Sequence, residues 1–271
     1  MSDLIKWSGS KETQSRNIIS FFPKNIDTYY EPLLGGGSIF LALLESNINI
    51  NKFILSDINT ELIGIYELIK NNPDKIINAY NKHHKEFNSG DIQKRKDYFA
   101  EVRNNFNLNK KSEDFYFIMR TTTNGMPRYN RAGHFNNSCH FSRPGMKPED
   151  VAELIKHYNT LFNSKDITFL SSDYATLNPN NGDLVYCDPP YENTKGMYFG
   201  GFDNTRFINW INNLNCKWLL SYDGKVNEEK VAHNSPNYAR HEYLVSGNSS
   251  FRRVIGNSKD SIVSESLYLN F

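Results

Sequence analysis

The stretch DTYYEPLLGGGS, residues 27 to 38, leads from a short strand pattern through three glycines into an apolar, helix-like run at 39 to 44. Glycines at a strand-to-helix turn permit positive φ and let a ligand approach the main chain closely. Asp57 ends the next strand pattern, 57 − 37 = 20 residues after the last glycine. An acid at this spacing commonly binds ribose hydroxyls in dinucleotide-type folds. The stretch therefore predicts an α/β fold with a nucleoside site, and the spacing does not choose among nucleosides.

Strand and helix patterns alternate along most of the chain. Apolar residues at helical spacing predict helices at 61 to 70, 151 to 162 and 207 to 214. Short apolar runs predict strands at 52 to 56, 166 to 171, 182 to 187, 217 to 221 and 264 to 270. This alternation is typical of a doubly wound parallel sheet. It is interrupted between residues 76 and 148, where a mostly helical segment passes into a loop rich in Thr, Asn, Gly, Pro and Arg.

Charge is distributed unevenly, although the net charge of the whole chain is only +1. Residues 82 to 147 contain 13 Lys and Arg against 6 Asp and Glu, whereas the remainder contains 18 against 24. Arg128 and Arg131 lie close in sequence to Tyr129 and Phe135, and arginines interleaved with aromatic residues suit phosphate contacts and base stacking. The segment predicts a polyanion-binding module. The alternative is a solvated, lysine-rich surface.

The motif Asp188-Pro189-Pro190-Tyr191 follows the strand pattern at 182 to 187, where α/β folds place active sites. Proline fixes backbone φ and has no N–H donor. The segment therefore offers a carboxylate and main-chain carbonyls, all of them acceptors, beside an aromatic ring. Acceptors on both N–H bonds of a planar amine favour the pyramidal geometry that the amine needs for attack. The motif predicts a site for a planar substrate carrying an NH₂ group, and the alternative is a simple proline turn.

Composition argues against several classes of protein. The chain is 14% aromatic, which is enough for a sizeable core and argues against a wholly disordered chain. No apolar run approaches the ~20 residues that cross a bilayer, and the first residues lack a secretory pattern. Ser38 follows Gly37 where a phosphate-binding loop carries lysine, so ATP hydrolysis is disfavoured. Three cysteines without metal spacing favour a reducing cytoplasm.

Taken in order, these motifs resemble the Dam-type, or alpha-class, N6-adenine DNA methyltransferases over nearly the whole chain. The matching stretches are KWSGSK at 6 to 11, EPLLGGG at 31 to 37, Asp57, NGMPRYN at 124 to 130 with Gly133, Phe135 and Asn136, DPPY at 188 to 191, and SESLYLN at 264 to 270. DPPY also occurs in other amino-methylating enzymes, so the Arg-Tyr-Asn loop is the more discriminating feature. Ser10 and Leu33 depart from the family pattern, and the residues after Asn136 leave the recognition sequence open.

The resemblance implies a Rossmann-like α/β sheet that binds S-adenosylmethionine, with an inserted, mainly helical target-recognition domain. Residues 1–75 and 149–271 are then the expected catalytic domain, and residues 76–148 the expected DNA-binding domain. The implied reaction transfers a methyl group from S-adenosylmethionine to the N6 amine of a flipped adenine in double-stranded DNA, without a metal or a covalent intermediate. We expect a cytoplasmic monomer without membrane association. A cognate restriction endonuclease as functional partner, a phage protective enzyme and a solitary regulator are all compatible with the sequence.

The resemblance also assigns roles to individual residues. The expected catalytic residues are Asp188, Pro189, Pro190 and Tyr191. The expected donor-binding residues are Trp7, Lys11, Glu31, Pro32, Leu33, Gly35, Gly37, Asp57, Asp173, Tyr174 and Asp188. The expected DNA-binding residues are Thr123, Asn124, Met126, Arg128, Tyr129, Asn130, Arg131 and Asn136. Among these, Trp7 and Lys11 would hold the methionine end of the donor, and Arg128 would read a guanine in the major groove.

Two further functions compete with this interpretation. One is methylation of an amine elsewhere, on RNA or on a protein glutamine, because the DPPY motif alone does not specify DNA. The other is a DNA-binding protein that kept the fold without catalysis, which the intact motif at 188 to 191 disfavours.

Overall fold

The computed structural model describes residues 3–190, 201–226, 229–230, 236–237, 240–245 and 263–271. The strands are β1 Asn25–Glu31, β2 Asn49–Asp57, β3 Asp166–Ser171, β4 Leu184–Cys187, β5 Lys217–Val226, β6 Glu229–Lys230, β7 Arg240–Val245 and β8 Val263–Leu269. The α-helices are α1 Ser15–Ile19, α2 Ser38–Leu44, α3 Thr60–Asn71, α4 Pro73–Phe87, α5 Ile92–Asn109, α6 Ser112–Thr121, α7 Pro148–Asn163 and α8 Asn204–Asn212. Short 3₁₀ turns cover Thr123–Gly125 and Tyr174–Thr176. None of the helices in these ranges has the length and apolar character to span a membrane.

The strands form one mixed sheet in the order β3-β2-β1-β4-β5-β8-β7, with β6 paired to β5. The first five strands of this order run parallel, and β8 runs antiparallel between β5 and β7. The chain passes outward from β1 to β2 and β3 and then returns to place β4 on the other side of β1. The loops after β1 and β4 therefore leave the sheet at a topological switch point, where open α/β sheets bind ligands. The predicted Rossmann-like α/β class is confirmed.

Helices α3 and α4 both begin at an asparagine cap. The Asn59 side chain accepts a hydrogen bond from Leu62 N–H at 2.9 Å and caps α3. Asn72 caps α4 in the same way, and Pro73 occupies its first turn, where a missing N–H costs nothing. The expected domain boundary at residues 75 and 76 falls inside α4, which packs on α6 and α7. The two-domain division stays a prediction.

Several strands differ from the sequence-based expectation, and β2 and β7 show the reason most clearly. β2 extends from Asn49 to Asp57 rather than from 52 to 56, because its first residues alternate between exposed and buried and pair with the start of β1. A continuous apolar run marks only the buried half of such a strand. β7 was not predicted at all. It is the last strand in the sheet order, and edge strands tolerate the charged residues found in RHEYLV at 240 to 245.

Aromatic rings fill the space between the sheet and the helices α2 and α7. Phe40 of α2 is fully buried, with its ring centroid 5.8 Å from Phe53, 5.4 Å from Phe162 and 6.0 Å from Phe169. These contacts fix α2 directly after the glycine turn. The core therefore positions the loop that precedes this helix.

Replacing Phe40 with Ala removes the ring at the centre of this cluster. We expect the free energy of unfolding to fall by about 3–5 kcal/mol, because the surrounding side chains close the resulting cavity only in part. Urea unfolding followed by circular dichroism measures the change. The matched control is Phe141→Ala, since this ring is 41% exposed and its loss should cost less than about 1 kcal/mol. Equal losses in the two variants would contradict the assignment of Phe40 to the core.

Candidate functional site

The loop between β1 and α2 is held by hydrogen bonds to the neighbouring strand and helix. Gly35 N–H donates to Asp57 Oδ2 at 3.0 Å, and the Tyr66 hydroxyl donates to the Gly35 carbonyl at 2.9 Å. Leu34 N–H donates to the Ser56 carbonyl at 3.0 Å. Gly35 and Gly37 have φ of +49° and +67°, which L-residues with a Cβ rarely adopt. The loop is therefore a fixed part of the carboxyl edge of the sheet.

Trp7 packs directly against this loop. A Cβ added to Gly35 would lie 2.9 Å from Trp7 Nε1, and one added to Gly36 would lie 2.8 Å from Trp7 Cβ. Sequence reasoning attributed the glycines to the approach of a ligand. The structure shows a further reason, since the indole itself requires the close approach.

Asp57 stands beside the glycine loop, as its spacing predicted. Its Oδ1 accepts a hydrogen bond from Asn59 N–H at 2.9 Å, while Oδ2 takes the Gly35 N–H. Burial raises the pKa of Asp57, and these backbone donors act in the opposite direction. Each carboxylate oxygen has a second lone pair, so the group can accept ribose hydroxyls while it holds the loop.

Asp188 follows β4, which lies next to β1 in the sheet. Its Oδ2 lies 2.8 Å from the ammonium of Lys11, whose side chain is only 6% exposed. The same ammonium lies 3.5 Å from Oε2 of Glu265 on β8. The resemblance placed Lys11 on the donor, whereas in the structure it pairs with Asp188. Sequence reasoning did not identify Glu265 as a site residue, and its only signal was an acid within an apolar strand pattern.

The rest of the proline motif is described only in part. Pro189 is buried and Pro190 is half-buried, so both lie within the packed end of β4. Tyr191 lies outside the described residues. Cys187 is fully buried, and burial raises the pKa of its thiol well above its ordinary value. A buried, protonated thiol is a poor nucleophile, which favours the structural role of Cys187.

Glu31, at the end of β1, is almost completely buried. Its Oε2 accepts a hydrogen bond from the Tyr29 hydroxyl at 2.7 Å. Burial, the largest cause, and the nearby charge of Asp188 together raise the pKa of Glu31 to about 8, although hydrogen bonds from Tyr29 and the Phe40 N–H act in the opposite direction. The carboxyl group is therefore mostly protonated at neutral pH.

Asp173 and Tyr174, after β3, lie against α8. Arg206 donates from both terminal nitrogens to the two carboxylate oxygens of Asp173, each at 2.8 Å. The guanidinium carbon lies 5.1 Å from the centroid of the buried Tyr174 ring, which also packs on Phe207 and Trp210. Arg206 was not identified from the sequence, because the helix pattern begins only at 207. Pro32 is buried, and Leu33 packs on the same apolar cluster as Tyr174.

The expected DNA-reading loop forms a short hairpin. Tyr129 and Phe135 pair as an antiparallel bridge, and the Asn130 side chain accepts hydrogen bonds from Ala132 N–H and His134 N–H at the tip. Arg128, Asn130, Arg131 and Asn124 are exposed, whereas Thr123, Met126, Tyr129 and Asn136 are half-buried. The exposed members all lie on the hairpin or the turn before it.

Arg128 is held in place by Asn136 across the hairpin. Its Nε donates to the Asn136 side-chain oxygen at 2.9 Å, and its Nη2 donates to the Asn136 carbonyl at 3.0 Å. A guanidinium has five N–H donors, so the end formed by its two terminal nitrogens can still contact a planar acceptor pair.

Asparagine side chains join the hairpin to the rest of the fold. Asn107 of α5 both donates to the Phe135 carbonyl and accepts from the Phe135 N–H, and Asn137 donates to the carbonyls of Thr123 and Met126. Asn59 Nδ2, at the cap of α3, donates to the Tyr129 hydroxyl at 3.1 Å. The expected DNA-reading hairpin therefore contacts Asn59, which lies two positions after Asp57 in the sequence. None of the three asparagines was identified from the sequence.

Comparison with known proteins places these features in a family. Residues 7–263 match the model for D12 class N6 adenine-specific DNA methyltransferases. The chain belongs to this family. The predicted Dam-type resemblance is confirmed, and family membership implies a methyl donor of the S-adenosylmethionine type.

Three relatives illustrate the similarity. The type II methyltransferase M.MjaIII of Methanocaldococcus jannaschii is 33% identical over 69% of this chain and 68% of its own length. The type II methyltransferase M.FokI of Planomicrobium okeanokoites is 26% identical over 98% of this chain and 43% of its own. A DNA adenine methylase of Haemophilus influenzae is 29% identical over 69% of this chain and 63% of its own. The chain thus matches only part of each relative.

The raised pKa of Glu31 predicts a dependence of stability on pH. Between its unfolded value near 4.5 and its folded value of about 8, the folded state keeps a proton that the unfolded state releases. The stabilising contribution of Glu31 therefore falls as pH rises through this window, by up to about 1.4 kcal/mol per pH unit. Glu31→Gln cannot titrate, so its free energy of unfolding relative to the wild type should increase from pH 5 to pH 8.

Urea unfolding at several pH values measures this difference. Glu67→Gln is the matched control, because Glu67 is exposed on α3, and its difference from the wild type should stay constant. A constant difference for Glu31→Gln as well would show that Glu31 is ionised in the folded protein.

Proposed function

We propose that the chain transfers a methyl group from S-adenosylmethionine to the N6 amine of an adenine extruded from double-stranded DNA. The observation that carries this proposal is the position of Asp188 directly after β4, the sheet neighbour of β1, whose carboxyl end leads into the glycine loop held by Asp57. A carboxylate acceptor and a nucleoside-type loop then share one edge of the sheet. Family membership supports the same activity.

Several observed features fit the donor. The glycine loop lies at the carboxyl edge of the sheet, and Asp57 beside it has lone pairs for ribose hydroxyls. Tyr174 and Leu33 form part of an apolar surface that suits an adenine ring, and Asp173 can accept from its amine while it pairs with Arg206. We propose the donor-binding set as Trp7, Lys11, Glu31, Pro32, Leu33, Gly35, Gly37, Asp57, Asp173, Tyr174 and Asp188.

The donor supplies an electrophilic methyl group on a positively charged sulfur. Asp188 accepts one N–H of the adenine amine, and main-chain carbonyls of the proline motif accept the other, which localises the nitrogen lone pair. That lone pair forms the new N–C bond while the C–S bond breaks with its electrons to sulfur. One N6 proton, held by the Asp188 carboxylate, is then released. Pro189 and Pro190 restrict the backbone φ angles, and Tyr191 completes the proposed motif.

DNA binding is assigned to the basic segment and its hairpin. Extrusion of a base costs a few kcal/mol, and phosphate contacts from the basic segment would offset this cost. Arg128, held by Asn136, presents two terminal nitrogens that match guanine O6 and N7. The proposed DNA-binding set is Thr123, Asn124, Met126, Arg128, Tyr129, Asn130, Arg131 and Asn136. Two of the three relatives are named type II methyltransferases, so we also propose a restriction endonuclease as functional partner.

Asp188→Asn tests the catalytic assignment. The amide keeps the size of the side chain but loses the carboxylate that orients the amine, so methylation should fall by about 10²–10³-fold. Duplex DNA is incubated with labelled S-adenosylmethionine, and N6-methyladenine is measured by mass spectrometry, with circular dichroism as the control for folding. Wild-type rates in a folded Asp188→Asn protein would refute the assignment.

Arg128→Ala tests the DNA-reading assignment. Loss of a bidentate guanine contact should weaken binding to a duplex that contains the mapped target site by about 1–3 kcal/mol. It should also reduce discrimination at one base pair of that site. Sites are first mapped by sequencing DNA from a methylation-free host, and binding is then measured by fluorescence anisotropy. Arg16→Ala, an exposed arginine on α1, is the control. Undiminished activity in Arg128→Ala would instead favour an RNA or protein amine as acceptor.

A further inference from the structure

The ammonium of Lys11 lies between two carboxylates, that of Asp188 after β4 and that of Glu265 in β8. This ammonium is 2.8 Å from Asp188 Oδ2 and 3.5 Å from Glu265 Oε2, and it also donates to the Gly9 carbonyl at 3.4 Å. The side chains of Lys11 and Glu265 are 6% and 18% exposed, so water screens their interaction only weakly. The first carboxylate belongs to the proposed catalytic motif, whereas no role follows for the second from the proposed reaction.

The backbone of Glu265 is fixed by the sheet. In β8 this residue pairs with Asp223 of β5 on one side and with Leu244 of β7 on the other. Its Oε2 atom is buried, and within the described part of the chain it accepts no hydrogen bond. Buried acceptors of this kind are uncommon and call for an explanation. This Oε2 atom lies 3.5 Å from the ammonium of Lys11, which is paired at 2.8 Å with Asp188.

We propose that Glu265 is a positioning residue that takes over Lys11 when Asp188 accepts the adenine amine, an inference that rests on the proposed methyl transfer. An ammonium at 2.8 Å occupies a lone pair of Asp188 and competes with the amine for it. Charge-assisted N–H···O bonds measure about 2.7–2.9 Å, so a shift of less than about 1 Å brings Lys11 from its present 3.5 Å separation into contact with Glu265.

The second carboxylate solves a problem that burial creates. A buried ammonium cannot leave Asp188 without a new partner, because an unpaired charge in the interior is strongly disfavoured. Glu265 offers that partner 3.5 Å from the same ammonium, so Asp188 can release Lys11 without leaving it unpaired. Glu265 acts through Lys11 and contacts neither the methyl donor nor the adenine in this proposal.

Glu265→Gln is the direct test, since it keeps the shape of the side chain and removes the charge. Lys11 then stays on Asp188, and kcat should fall by about 10- to 100-fold, as for a small misplacement at a reacting centre. The Kd for S-adenosylmethionine, measured by calorimetry without DNA, should stay within about twofold. Glu265→Asp keeps a carboxylate and should recover part of kcat, and Glu67→Gln, an exposed glutamate, should match the wild type.

A double-mutant cycle with Lys11→Gln shows whether Glu265 acts through Lys11. The two substitutions should be non-additive, because Lys11→Gln removes the cation that Glu265 would receive in this proposal. An unchanged kcat in Glu265→Gln, a loss of donor affinity in place of kcat, or additive effects would each overturn the inference. If Glu265→Gln fails to fold, kcat and the Kd for S-adenosylmethionine are compared between Glu265→Asp and the wild type instead. Absence of N6-methyladenine with the wild type would refute the proposed function, whereas a methylating wild type with a fully active Glu265→Gln refutes only this inference.

Discussion

Parallel pairing of β1 with β4 is the constraint on which the candidate site depends. These two strands are neighbours in space although β2 and β3 separate them in sequence, so the chain leaves their carboxyl ends in different directions. The glycine loop and Asp188 follow these ends directly. A cleft at this position needs no insertion or special loop, because the strand order itself produces it. The aromatic core around Phe40 then holds α2, and with it the loop, against the sheet.

A chain of hydrogen bonds extends this constraint to the basic segment. Gly35 donates to Asp57, Asp57 accepts from Asn59, and Asn59 donates to Tyr129 in the hairpin. The proposed donor loop and the proposed DNA-reading hairpin are therefore joined by three consecutive contacts. Asn59 is the central member, because its side chain also caps α3. A hairpin held in this way is positioned relative to the catalytic edge by the same helix that supports the glycine loop through Tyr66.

Local patterns in the sequence predicted the features that depend on local physics. Hydrophobic period, glycine turns, proline breaks and the strand before DPPY are properties of neighbouring residues, and these predicted the parallel strands β1 to β5, the glycine loop and the place of Asp188 after β4. The missed contacts join distant residues: Asn59 to Tyr129, Arg206 to Asp173, and Lys11 to both Asp188 and Glu265. Polar side chains that pair across the fold have no period or spacing in the sequence, so only the three-dimensional arrangement reveals their partners.

The charge balance of the site explains why these long-range pairs matter. Asp188 and Glu265 lie near the ammonium of Lys11, and the charge of Asp188 in turn acts on Glu31. Three ionised carboxylates would repel one another in a poorly solvated cleft, and the protonation of Glu31 relieves part of this repulsion. Two carboxylates and one ammonium then leave an excess of negative charge among these four side chains at neutral pH. Such a cleft favours a positively charged ligand, and a sulfonium donor carries its positive charge on the atom next to the transferred methyl group.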